Sequence, residues 1–443
     1  MRYRLLIFTA SVCFITVAAS GQTSRTKRSR PEPGGWYAGD IHVHLNCGEG
    51  TIQLPEDSLL RMMEPNDLAV IGLLADMGNG EVKDSKRDLL KVNGKDAPQS
   101  KPGRIIHWDT EWHWDATYSN FSNQALGGHL VLLGLKNAHQ IWEESPYKIL
   151  EWSRKQNAIG GFAHLEYLND SIQNNLNCCI PVDFPVEAAL GTIDFVSEDV
   201  YGMHSPNNGN YFSEGVTNAY YKLLNCGFRL GLAAGTDYPC NDNEPLGTLL
   251  TYVNVKGPLT YQKWIEGIRL GRTVVSRNGH NEFLSLQVNG KQSPGDEIQL
   301  KGNSKLSVKV TWTATQDFSG VIELVSNGKV IASMPGSAKP GEPLVFNTTA
   351  AFTESSWICA RRMDEHGHET HTAPVYITVN KKPVRASAED ARYFVRWIDN
   401  ILDNIQPGGK WNRYFPNNLA TVTERYKKAK NVYEQILKES TDK

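Results

Sequence analysis

Apolar and polar positions divide the chain into stretches of different rhythm. From Trp36 to about Phe283, short apolar runs alternate with amphipathic segments. Ala38–Val43, Leu68–Ala75, Ile105–Trp108, Leu130–Leu135, Ile159–Ala163, Ile193–Val196 and Leu230–Ala234 read as strands. Pro55–Met63, Pro146–Gln156, Glu214–Asn225 and Tyr261–Leu270 read as helices. This alternation predicts an α/β fold of βα units around a mainly parallel sheet. At least seven units in about 250 residues favour a closed barrel over an open sheet.

Near Leu284 the period shortens to two. Leu306–Trp312, Val321–Val325, Ser356–Ala360 and Val375–Val379 alternate like half-buried strands, with turns such as Ser326-Asn327-Gly328 between them. A small antiparallel β-sandwich is expected over residues 284–380. The end of the chain returns to helical spacing. Tyr393, Phe394, Trp397, Ile398, Leu402 and Ile405 form one apolar stripe, and Leu419, Val422, Tyr426, Ala429, Tyr433 and Ile436 a second. Pro407-Gly408-Gly409 separates them, so residues 381–443 read as two helices packed on a domain surface.

The start of the chain follows neither rhythm. Arg2 and Arg4 precede the apolar run Leu5–Ala19, and the small residues Ala18, Ala19 and Ser20 close it. This is the pattern of a cleaved secretory peptide over residues 1–20. The run falls short of the roughly 20 residues a membrane span needs. Export to a secreted or periplasmic location is therefore expected, with no stable membrane insertion after cleavage. Arg25, Lys27, Arg28 and Arg30, followed by Pro31 and Pro33, make residues 21–35 a flexible basic linker.

Composition adds exclusions. The chain has 443 residues, 40% hydrophobic and 21% charged, values ordinary for a protein that buries a core. Lys plus Arg number 46 and Asp plus Glu 48, a formal charge of −2, so no global field draws the protein to nucleic acid or acidic lipid. A small-molecule substrate is the expected partner. Six cysteines lie beyond Cys13, which permits disulfides outside the cytosol. No paired C-x-x-C is present, so a cysteine zinc site is not expected. A phosphate-binding P-loop, a G-x-S-x-G elbow and a dinucleotide fingerprint are absent too.

The placement of polar residues carries the chemistry. His42 and His44 end the first predicted strand and Asp76 the second. Glu111 follows the third, His129 opens the fourth, and His164, Glu198 and Asp237 end the next three. A parallel barrel gathers its strand C-termini at one face, so most of these groups converge there. His129, at a strand start, fits that pattern least well. Packed carboxylates repel unless cations relieve them, and His with Asp/Glu suits zinc, manganese or iron. In His42-Val43-His44 the i, i+2 spacing puts both rings on one side of a strand.

Ordinary structural roles stand beside these. Asp76 could cap a helix, His129 could satisfy a buried turn after Gly127-Gly128, and Asp237 could be a turn aspartate. In His107-Trp108-Asp109-Thr110-Glu111-Trp112-His113-Trp114, His113 or Asp109 could be the relevant group instead of Glu111. The three tryptophans could stack on a substrate ring or wall the barrel mouth. His366-Gly367-His368-Glu369-Thr370-His371 reads as a solvated hairpin of the β-domain.

Trp36-Tyr37-Ala38-Gly39-Asp40-Ile41-His42-Val43-His44 resembles the opening motif of the polymerase-and-histidinol-phosphatase (PHP) superfamily, and in particular its secreted CehA/McbA-type metallohydrolases. Gly128-His129-Leu130, Gly161-Phe162-Ala163-His164, Gly235-Thr236-Asp237, Leu246-Gly247-Thr248 and Gly271-Arg272-Thr273-Val274-Val275-Ser276 extend the resemblance. So do Val288-Asn289-Gly290 and Thr372-Ala373-Pro374-Val375-Tyr376. It covers most of residues 36–380. It implies a distorted (β/α)7 TIM-like barrel over residues 36–283, a C-terminal β-domain and a hydrolytic centre of two or three metals.

Carried over, His42, His44, Glu111 and Asp237 hold one cation, and Glu111 bridges to a second completed by His129 and His164. The family often has Asp-His after the second strand, where this chain has Asp76-Met77, and Asp-x-His at the last motif, where it has Asp237-Tyr238-Pro239. No histidine occurs in Leu45–Gly50 either. These are the third-site histidines of trinuclear members, so at most two tightly held divalent ions (Zn, Mn or Fe) are expected. The implied reaction is attack by a hydroxide held between the metals on a phosphoester, carboxylic ester or carbamate-type bond. Asp76 becomes the candidate for proton handling, and His204 for protonating the leaving group. The alternative is a non-catalytic protein, possibly carbohydrate-binding, on the same barrel.

Overall fold

The computed structural model describes residues 30–440 apart from 48–51, 79–84, 115–125, 127, 142–144, 166–171, 173, 175, 177–181, 200–218, 241–244 and 366. It is a mixed α/β protein with one large sheet, several further strands and a helical C-terminal tail. The first strands are β1 (Trp36–Val43), the short pair β2 (Asn46–Cys47) and β3 (Ile52–Gln53), β4 (Val70–Gly78), β5 (Ile105–His113) and β6 (Leu130–Leu133). There follow β7 (Ile159–Phe162), β8 (Phe195–Asp199), β9 (Gly231–Gly235), β10 (Leu250–Asn254) and β11 (Thr273–Ser276). Helices Glu56–Asn66, Pro146–Arg154 and Tyr261–Arg269 match three predicted segments. Of the fourth, residues 219–225 are described and helical.

The sheet runs β10-β1-β4-β5-β6-β7-β8-β9 through this region. Its pairing is mixed: four of its seven neighbouring strand pairs are parallel, as expected, and three are not. β1/β4, β4/β5, β7/β8 and β8/β9 are parallel, but β6 is antiparallel to both neighbours, and β10 to β1. The apolar run of β6 carries no direction, so its sequence could not reveal the reversal. β9, at the far end of this order, lies back against β1. Thr236 bonds to Asp40, a parallel bridge joins Val43 to Tyr238, and the N–H of His44 donates to Tyr238 O at 2.7 Å.

β4 and β5 are buried along their whole length, as befits strands covered on both faces. β5 extends past its predicted end at Trp108 because it reverses the usual alternation. Asp109, Glu111 and His113 share one face, and Trp108, Thr110 and Trp112 the other. All are buried. The strand expected from the sequence ends at Trp108, before those polar residues.

The second region contains β12 (Glu282–Val288), β13 (Glu297–Leu300), β14 (Ser304–Ala314), β15 (Phe318–Ser326) and β16 (Lys329–Ala338), then β17 (Leu344–Phe352), β18 (Ser356–Asp364), β19 (Gly367–Thr372) and β20 (Val375–Val379). β12, β14 and β17 form a three-stranded antiparallel sheet. Its apolar face (Leu284, Leu286, Val308, Val310, Trp312) shares one core with Ile322, Leu324, Ile358, Ala360 and Ile377 of the large sheet. β11 pairs antiparallel with β19, so the large sheet continues from the first region into the second. β19 is not the solvated hairpin expected. His371 is buried and its Nε2 accepts from the Tyr221 hydroxyl at 2.7 Å, while its Nδ1 donates to Thr372 O. His366 and the side chains of His368 and Glu369 lie outside the described residues.

The tail forms helices Ala388–Ile405 and Leu419–Glu439. The first starts where Ser387 accepts from Asp390 N, with Glu389 and Asp390 in the opening turn. Both pack on helix Phe184–Ala189: Trp397 Nε1 donates to Val182 O, Tyr426 Oη to Asp183 and Tyr433 Oη to Pro185 O. At the other end, the linker is docked from Arg30 onward. Arg30 pairs with Asp67 at 2.6 Å, and buried Glu32 meets His280 Nε2 at 2.7 Å. Among the described residues no helix is long and apolar enough to cross a membrane. The expected signal peptide lies outside them.

Candidate metal centre

The reversal of β6 explains His129. Trp112 of β5 lies opposite Leu130 of β6, and Leu130 opposite Phe162 of β7. The start of an antiparallel strand thus sits beside the ends of its neighbours. His129 joins the cluster because β6 runs backwards, where it had seemed the least fitting member.

The expected ligands meet around Glu111. Its Oε2 lies 3.2 Å from His42 Nε2 and 3.1 Å from His44 Nε2. Asp237 Oδ1 lies 3.3 and 3.4 Å from the same two nitrogens. The other oxygen, Oε1, lies 3.1 Å from His129 Nδ1 and 3.7 Å from His164 Nε2. One carboxylate therefore serves two donor sets, His42/His44/Glu111/Asp237 and Glu111/His129/His164, either of which could hold a metal ion. Most of these spacings fall near 3.3 Å, about the edge of a tetrahedron with metal–ligand bonds of about 2.0–2.1 Å. Both oxygens of Asp76 are buried with no hydrogen-bond partner among the described residues, a costly state that a cation beside them would relieve. The donor set, imidazoles with carboxylates, suits zinc, manganese or iron.

Backbone shape is bent to present these groups. His164 (φ 59°) and Asp237 (φ 53°) are non-glycine residues in the left-handed region, which side chains adopt at a cost and which clusters at functional sites. A Cβ on Gly235 would stand 2.4 Å from His42 Cβ, so only glycine lets the two ligand-bearing segments approach. Asp40 ties them together, accepting from His42 N at 3.0 Å and from Thr236 N and Oγ1 at 3.1 and 2.5 Å.

The charges are strongly coupled. Burial works against ionisation of Glu111, but His42, His113 and His129 hold its carboxyl well below the usual range. Burial opposes a proton on His44, yet hydrogen bonds to Asp237 and Glu111 raise it to about 9. Burial and the charge of His113 push His129 down to about 4.

Asp76 sits beside the cluster, with Oδ1 3.4 Å from His44 Nδ1, where a carboxylate can fix the tautomer of a ligating histidine. His113 is a member sequence reasoning had only as a substitute for Glu111. Both converge, since residues i and i+2 share a face, and His113 Nε2 lies 2.8 Å from Glu111 Oε2. The i, i+2 spacing that singled out His42 and His44 was the available signal. Asp109 is excluded from the centre: its carboxylate accepts from Gly134 N, Leu135 N and Tyr261 Oη. Trp108, Trp112 and Trp114 are buried core residues and offer no open stacking platform. His204 and the side chain of Glu198 lie outside the described residues.

No protein-family model matches the chain, and no curated protein does. Among solved structures, a CARDB domain from Pyrococcus furiosus is 17% identical, covering 23% of this chain and 98% of its own, with a TM-score of 0.18. An engineered protein is 16% identical, covering 22% of this chain and 20% of its own, with a TM-score of 0.14. Likenesses of this size carry no argument about fold or activity.

Proposed function

We propose that the protein is an exported metal-dependent hydrolase of the PHP superfamily's CehA/McbA type, acting on phosphoester, carboxylic ester or carbamate-type bonds of a small molecule. The observation that carries this reading is the division of Glu111, one oxygen toward His42 and His44 and the other toward His129 and His164. In the same reading, β1 and β4–β9 form the distorted (β/α)7 barrel, supported by the return of β9 against β1, and the region from β12 to β20 forms the β-sandwich. Cys240 is disulfide-bonded, which supports export to an oxidising compartment.

His42, His44, Glu111 and Asp237 hold one divalent cation, and Glu111, His129 and His164 the second. Bound there, the pair supplies an activated water at neutral pH and stabilises developing negative charge. The chain's own residues do the rest. Asp40 fixes the spacing of the ligand-bearing segments. Asp76 orients His44 and is placed to hold a proton. Asp237, with 14% of its side chain exposed, is the ligand most open to solvent and marks the side from which substrate enters. His204 remains the candidate acid for the leaving group.

Metal analysis of the purified full chain, with turnover on a panel of chromogenic phosphate and carboxylate esters, tests the reading. Bound metal with hydrolysis that a chelator abolishes is expected. Metal-loaded protein without turnover but with tight sugar binding would instead favour the binding-protein reading, which the replacements Met77 and Pro239 leave open.

A further inference from the structure

We infer that Asp76, Glu111 and His113 form a third cation position, distinct from the two just described, that prefers a hard ion such as Mn2+ or Mg2+. The inference rests on the proposed metal centre and extends it. Its geometry comes from the β4–β5 register, in which Asp76 stands beside Glu111 and Gly78 beside His113. His113 Nε2 lies 2.8 Å from Glu111 Oε2 and 3.5 Å from Asp76 Oδ1. The three side chains offer donor atoms within 4.8 Å of one another, and all are buried.

The independent observation is Asp76. Its residue is 2% exposed, and neither carboxylate oxygen makes a hydrogen bond among the described residues. Both oxygens lie in the interior, where an unpartnered carboxylate is expensive. His44 Nδ1 approaches its Oδ1 at 3.4 Å and His113 Nε2 at 3.5 Å, both longer than a good charge-assisted hydrogen bond. A cation between Asp76 and His113 would give the carboxylate a close partner.

The donor chemistry sets this position apart. Each of the other two offers two imidazoles, which suit zinc. This one offers two carboxylates and a single imidazole, a harder set that favours manganese or magnesium. Its three protein donors include Glu111 Oε2, which also faces His42 and His44, so it fills last and most weakly. It uses neither Met77 nor Pro239. The expected ceiling of two metals counted only the places where trinuclear relatives carry histidine, and His113 was not among them.

The probe is Mn2+ alone, titrated into metal-stripped full-length protein by equilibrium dialysis with metal analysis. Wild type should take up two equivalents and then, at higher free Mn2+, a third. His113→Ala and Asp76→Asn should each stop at two, with circular dichroism showing both folded. Crystals soaked in Mn2+ should show anomalous density between Asp76 and His113. A wild-type titration that levels at two, or variants that still bind three, would overturn the third position and leave the two-metal reading standing. Wild type that binds none would overturn both.

Discussion

The carboxylate of Asp40 accepts two hydrogen bonds from Thr236, one from its backbone N–H and one from its hydroxyl. Asp40 precedes His42 on one face of β1, and Thr236 precedes Asp237. The pair therefore sets the distance between two ligand-bearing segments without touching a metal. Outer-shell partners of this kind are worth about 10–100-fold in metal affinity. Asp40→Ala should weaken binding at the His42/His44/Asp237 position by about that factor and leave the His129/His164 position near wild type, a split that competition with a chelating dye will resolve. Equal weakening at both positions would point to general loosening of the fold.

Glu111 is the only residue shared by both donor sets. Glu111→Gln keeps its shape but removes the charge that faces four of the imidazoles. Metal content should fall from about two equivalents to less than one, with hydrolysis lost. A variant that retains two equivalents would show that Glu111 is not a bridge.

Metal binding should release protons. Burial disfavours the charged ring of His44, but Asp237 and Glu111 outweigh it and raise its proton affinity to about 9. Near neutral pH a cation must displace that proton. Apparent affinity at this position should climb about tenfold per pH unit and level off near pH 9. By the same sign, the contribution of His44 to the metal-free fold is full below its ordinary value and fades as pH rises through 9. A pH-independent affinity would remove His44 from the ligand set.

The tail should be anchored by one ion pair. Arg425 Nε donates to Glu187 Oε1 at 3.1 Å, and its Nη2 meets the other oxygen. Glu187 is fully buried, while 16% of the Arg425 side chain is exposed. Removing Arg425 leaves a buried carboxylate without its counter-charge, held by the Thr192 hydroxyl, an effect of up to about 3–5 kcal/mol in a closed interior and smaller where water can enter. Arg425→Ala should lower the melting temperature by several degrees without changing metal content. Adding Glu187→Gln should recover most of the loss.

Most of the centre was legible because its residues stand at strand ends, where polar side chains in apolar surroundings are conspicuous. The direction of β6 was not, since Leu-Val-Leu-Leu reads alike either way, and the place of His129 stayed unexplained until the register was known. Nor was His113, because its run of indoles suggested an aromatic surface when it was in fact buried core. Asp40 was overlooked for a different reason: its partner is almost two hundred residues away, and no local spacing announces such a pairing.

The pairing of β11 with β19 has a consequence for the protein's modularity. An edge strand left bare invites pairing with other chains. A fragment ending near residue 283 would retain every proposed metal ligand and still expose β11 along its length. The region that carries the candidate metal ligands therefore cannot be lifted out as a freestanding cassette. Its edge is closed by a strand made almost a hundred residues later, and any recombination that trades the C-terminal region must bring a strand able to cover β11.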